Sequence, residues 1–222
     1  MSATVTRLQD VRKPTPSSQH ERTRMLDAFR AVRSETERRA APLSPEDQIV
    51  QSMADASPTK WHRAHTTWFF EQFLLVPHLE GYPLFDERFA FLFNSYYVAA
   101  GPRHERPRRG LLTRPSVAEV ASYRAHVDAA VERLIRDAGE ATWTRIAPLI
   151  ELGLNHEQQH QELLLTDILH LFSENPIEPA IWPGARKVPV AMPDAMGWIE
   201  HSGGVVEIGH DSPHFAFDCE GP

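Results

Sequence analysis

The chain has 222 residues, of which 41% are hydrophobic and 24% charged, and its formal net charge is -7. That length can bury one substantial core, and the acidic balance gives no general electrostatic basis for binding nucleic acid or an anionic membrane. No apolar run reaches the roughly 18 residues of a membrane-spanning helix, the N-terminus lacks the apolar core of a secretory signal, and the single Cys219 cannot close an internal disulfide; a cytoplasmic protein is expected.

Residues 1–18 carry no periodic apolar pattern and read as a flexible arm. From Gln19 to about Ala40, Met25, Leu26, Phe29 and Val32 recur at helical spacing, predicting an amphipathic first helix. Ser44-Pro45-Glu46-Asp47 combines an N-cap serine, proline at the first helical position and early acidic residues, predicting a short helix to about Met53. The same signals at Ser57-Pro58 open a helix through Trp61, His65, Trp68, Phe69 and Phe73, whose apolar side is wide enough to be mostly buried. Glu87 to Val98 is again apolar and predicted helical, whereas Gly101 to Pro115 holds five arginines among prolines and Gly110 and reads as a basic loop. Ser116-Val117-Ala118-Glu119 is a capping box that starts a helix to about Asp137, and a long helix follows from Trp143 to Phe172.

Four long helices separated by loops and linkers have the architecture of an up-and-down bundle spanning residues 19–174, a mainly α fold whose core can carry a metal. Beyond Glu174, five prolines forbid a continuing helix and make residues 175–202 a linker. Residues 203–209 look like a strand between turns and 215–218 could begin another, a short incomplete β segment that cannot bury a core by itself.

Twelve histidines are many for this length. In the last long helix, His156 and His160 are four residues apart and lie one above the other on one face, where two imidazoles can share one ion. A mononuclear site needs a third protein ligand. His65, on the aromatic-rich helix four residues after Trp61, is the better source; His62 points about 300° further back, toward the surface or a position behind the ligands. Glu162, turned by about 200° from His160, cannot share the front of that face. Gln159, about 60° around the helix from His156, can reach a pocket beside the metal. Against a metal stands the simpler alternative that His156 and His160 form a hydrogen-bonded polar patch.

The stretches Ser57-Pro58-Thr59-Lys60-Trp61-His62-Arg63-Ala64-His65-Thr66-Thr67-Trp68-Phe69-Phe70-Glu71, Leu92-Phe93-Asn94-Ser95-Tyr96-Tyr97 and Leu154-Asn155-His156-Glu157-Gln158-Gln159-His160-Gln161-Glu162-Leu163 resemble the N-terminal half of the ergothioneine-biosynthesis sulfoxide synthases, the hercynine oxygenases. The resemblance implies a DinB-like bundle holding iron(II) through His65, His156 and His160, with Gln159 contacting the trimethylated histidine substrate. It implies an oxygen-dependent carbon–sulfur bond formation between hercynine and cysteine or γ-glutamylcysteine. Since such thiols carry carboxylates, Arg103, Arg106 and Arg109 are expected clamps.

In that family a formylglycine-generating-enzyme-like domain follows the bundle and supplies a catalytic tyrosine. Residues 203–222 resemble its opening, so the expectation is a fragment, a truncated product or one piece of a split enzyme whose partner is a separate C-terminal domain chain. Two other classes stay open: a stand-alone DinB-like thiol transferase using zinc or another divalent ion, and a non-catalytic helical module that binds a partner.

Overall fold

A computed structural model describes residues 16–95, 101–184 and 197–222, which divide into two compact units with the chain boundary between Ile181 and Trp182. The first unit is helical: α1 (Pro16–Ala40), α2 (Thr59–Phe69) continued by a π-helical stretch (Phe70–Leu75) and α3 (Val76–His78), the short α4 (Phe89–Leu92), α5 (Val117–Asp137) and α6 (Glu140–Ser173). Helix α6 packs on both α1 and α2, and α5 packs on both as well.

The sequence signals account for the long elements directly. Ser116 accepts from Glu119 N while the Glu119 side chain accepts from Ser116 N, so both halves of the capping box form. Val120, Val127, Val131 and Leu134 then bury the stripe that the periodicity marks. Every residue of α2 is buried, as expected of a helix enclosed by the others, and its Trp61, Trp68 and Phe69 join Phe70, Leu74 and Leu75 at the centre of the core.

Close approach between α2 and α6 depends on Gly153. A Cβ there would lie 2.6 Å from Phe70 Cε1 and 3.0 Å from Phe69 Cε1. The glycine stands one turn before His156, so the smallest residue sits where α6 meets the aromatic side of α2.

Helix α1 buries Phe29 in the core, with Met25, Leu26 and Val32 packed against it, and adds buried polar bonds. Arg22 is buried and its Nη1 donates to the carbonyls of Ile135 (3.1 Å) and Ala138 (2.6 Å), satisfying the end of α5 where cations are favoured. Arg33 donates to Asp128 (2.7 Å), Glu157 (2.8 Å) and Thr67 (2.9 Å), linking α1 to α5, α6 and α2.

Several expectations are corrected. Residues 16–18, read as part of the arm, belong to α1, and residues 1–15 lie outside the described residues. The helix expected from Ser44 to Met53 is a series of turns. Ser44 and Asp47 do exchange their capping bonds (2.8 and 3.1 Å), but the segment has no apolar stripe to bury. Its glutamines reach elsewhere: Gln48 donates to Leu43 O, while Gln51 donates to Ala56 O and Arg106 O and accepts from Gly110 N.

The expected helix from Glu87 to Val98 is only α4 among the described residues, with 96–100 outside them. Its carbonyls serve indoles instead of a longer helix, Ala90 O accepting from Trp68 Nε1 (3.2 Å) and Leu92 O from Trp61 Nε1 (3.4 Å).

In the second unit, residues 203–209 form no strand, and 218–220 form a single 3-10 turn. The β segment expected there fails because a strand needs a neighbouring edge for its ladder. Val205 and Ile208 are exposed. Of the linker expected over 175–202, residues 185–196 lie outside the description.

Candidate metal centre

Helix α2 brings His65, and α6 brings His156 and His160, to one place. One ring nitrogen from each lies within 4.8 Å of the other two. The ring centroids of His65 stand 5.0 Å from His156 and 4.7 Å from His160, and those of His156 and His160 are 4.6 Å apart. His65 and His156 are buried, with His160 the least covered.

Burial disfavours the imidazolium form and pushes the His156 pKa down to about 4. Burial, reinforced by the neighbouring histidines, puts His65 and His160 well below the ordinary value. Three neutral imidazoles are thus available as electron-pair donors at neutral pH, a set that suits iron, zinc, copper or nickel. Among the described residues no carboxylate joins the triad, and Glu162 is exposed, as its position around the helix requires.

Neighbouring groups orient the rings. His65 Nδ1 lies 2.6 Å from the Phe93 carbonyl, and its ring is stacked between Trp61 (4.5 Å) and Trp68 (5.4 Å). His62 is buried, not at the surface, with Nδ1 2.9 Å from His160 Nδ1 and Nε2 2.9 Å from Asp167 Oδ2. Burial outweighs the Asp167 carboxylate and lowers the His62 pKa.

Asp167 was not anticipated, although it follows His160 by seven residues and therefore lies within about 20° of it around the helix. Ser57, expected to cap α2, instead donates its N–H to Asp167 Oδ2 (2.8 Å) and accepts at Oγ from Arg109 (2.9 Å), leaving Pro58 at the cap position.

The triad opens into a pocket also lined by Gln159, Arg106, Arg109 and Ser95. Arg109 is buried, its guanidinium 3.4 Å over the Trp61 ring, and it donates to Ser95 Oγ (3.1 Å) as well as Ser57. Arg106, whose Nη2 donates to Asp55 O, reaches the same wall.

A 3-10 turn over Arg106–Leu111 explains the pairing, since residues three apart eclipse in that geometry. Arg103 precedes the turn, is exposed and is not among the residues lining this pocket. Of the three arginines expected as clamps, Arg106 and Arg109 line this pocket.

Behind the pocket, Glu157 is fully buried and accepts from Arg33, Thr36 (2.6 Å) and Arg124 (3.0 Å). Those three donors hold its pKa near 2 against the opposing effect of burial. Sequence spacing places Glu157 beside His156 but pointing about 100° away, which conceals its role until α1 and α5 are in place.

Among the described residues no helix is long and apolar enough to cross a membrane. Comparison with protein families matches residues 28–164 to the DinB superfamily. No curated protein matches the chain.

Proposed function

The chain belongs to the DinB superfamily, and from that premise we propose that it is the iron(II)-binding part of an oxygen-dependent sulfoxide synthase joining hercynine to cysteine or γ-glutamylcysteine. The observation that carries the metal role is the convergence of three neutral, largely buried imidazoles at the base of a pocket walled by two arginines. The sulfur chemistry is supported by the likeness of residues 57–71, 92–97 and 154–163 to that enzyme class.

Bound iron(II) would supply a centre where thiolate and dioxygen meet. The chain's own residues bind and orient. His65, His156 and His160 would hold the ion from one side, leaving positions open toward the pocket. Arg109, already fixed by Trp61, Ser57 and Ser95, would present its guanidinium to a carboxylate of the thiol substrate, with Arg106 beside it. Gln159, exposed at the pocket wall, would contact the hercynine head group, its amide NH2 able to donate to the carboxylate.

The test begins with anaerobic iron reconstitution of the 222-residue chain and its His65→Ala and His156→Ala variants. Stoichiometric iron in the parent and its loss in both variants is expected; full retention in both overturns the ligand assignment. Oxygen-dependent sulfoxide formation from hercynine and either thiol is then assayed, with and without a formylglycine-generating-enzyme-like domain in trans. Thiol consumption that needs a divalent ion but no oxygen, yielding no sulfoxide, would sink the oxidase reading in favour of a thiol transferase.

A further inference from the structure

A chain of hydrogen bonds runs along the pocket wall into one of the triad's rings. It starts at Ser57 N–H, passes through Asp167 Oδ2 (2.8 Å) to His62 Nε2 (2.9 Å), and continues from His62 Nδ1 to His160 Nδ1 (2.9 Å). A carboxylate oxygen only accepts, so His62 carries its proton on Nε2 and its Nδ1 is the acceptor. The atom facing that acceptor must be a donor. His160 therefore carries its proton on Nδ1 and keeps the Nε2 lone pair. His65 reaches the same tautomer by a shorter route, because the carbonyl of Phe93 can only accept from its Nδ1.

We propose that His62 and Asp167 are positioning residues that lock His160 in the Nδ1–H tautomer, so that its Nε2 is presented with that of His65 to a divalent metal ion. The assignment deepens the metal-binding part of the proposed function and rests on it.

The helices explain why the lock can act. Residues His62 and His65 are one turn apart on α2, while His160 and Asp167 are two turns apart on α6. The two elements that supply ligands thus also supply the lock, and the bond between His62 and His160 joins them at the level of the site. A solvent-exposed imidazole samples both tautomers, and only one leaves the required nitrogen available. A carboxylate acting through an intervening ring also increases the electron density on the metal-facing nitrogen.

The experiment uses the metal-free 222-residue chain labelled with 15N-histidine, and Co(II) as the probe. Long-range 1H–15N spectra of the unaltered chain should show His65 and His160 protonated on Nδ1. Competition against a chelator should show His62→Leu and Asp167→Ala weakening Co(II) binding by roughly ten- to a hundredfold. His62→Gln should restore affinity to within a few-fold, because its amide oxygen accepts from His160 while its NH2 donates to Asp167. The proposal is overturned if His160 carries its proton on Nε2, or if His62→Leu and Asp167→Ala bind Co(II) as tightly as the parent. The tautomer of the parent decides the matter even where a variant fails to fold, which circular dichroism identifies. A parent chain that takes up no Co(II) overturns the metal site itself and this assignment with it.

Discussion

Arg33 in α1 and Glu157 in α6 face each other at 2.8 Å, the guanidinium almost wholly and the carboxylate completely removed from solvent. Glu157 follows His156 directly, so the ion pair that fastens α6 to α1 also fixes the turn that carries a candidate ligand. Removing one member of a buried pair leaves the other charged and unsolvated. Glu157→Gln should therefore cost about 3–5 kcal/mol of stability, measured by urea unfolding. A loss below 1 kcal/mol would show that water reaches the site once the charge is gone.

The same carboxylate sets a pH dependence. Its pKa is about 2 in the folded chain against an ordinary value of 4.5, chiefly because two arginines and Thr36 outweigh its burial. Between those values the unfolded chain binds more protons than the folded one, so stability falls as pH drops through the window. The contribution is fully present above pH 4.5. Urea midpoints of the parent should decline between pH 4.5 and 2, and the Glu157→Gln variant should show a shallower decline over the same range.

Gly153→Ala opposes two effects. Alanine favours a helix interior by about 1 kcal/mol over glycine, but its Cβ would stand 2.6 Å from the Phe70 ring. Overpacking of this kind costs about 1–3 kcal/mol. A net loss of thermal stability is expected, together with weaker Co(II) binding, because α6 must move away from α2 and carry His156 from His65. Adding Phe70→Leu should recover part of both losses. Independent, additive effects in that double-mutant cycle would mean that the contact is not what spaces the helices.

Arg109→Lys keeps the charge and discards the planar fork that reaches Ser57 and Ser95 and lies over Trp61. In the proposed reaction it should weaken binding of a carboxylate-bearing thiol about tenfold, the equivalent of roughly 1.5 kcal/mol for one charge-assisted hydrogen bond. Metal affinity should change far less, since the positive charge beside the triad is retained. Titration of the Co(II)-loaded chain with γ-glutamylcysteine, read from the visible spectrum, separates the two quantities.

Local pattern was sufficient for much of this protein. The capping box at Ser116 and the apolar spacing after it mark the start and approximate end of α5, and the four-residue interval puts His156 and His160 on one face whatever surrounds them. The wide aromatic side of residues 59–69 identifies an enclosed helix. All of these depend on interactions within a few turns of one helix, where geometry is set by the 3.6-residue period.

Where side chains compete for partners far apart in the chain, the tertiary structure decided. Ser57 carries the signature of a cap, yet Asp167 takes its N–H and Arg109 its hydroxyl, because α6 and the arginine turn arrive beside it. Ser44 carries the same signature and completes its local bonds, yet no helix grows there without an apolar face to bury. By helical angle alone His62 lies off the ligand face. It acquires a partner on each nitrogen because α6 crosses α2 closely at Gly153, and that approach depends on packing between residues some 80 to 100 positions apart.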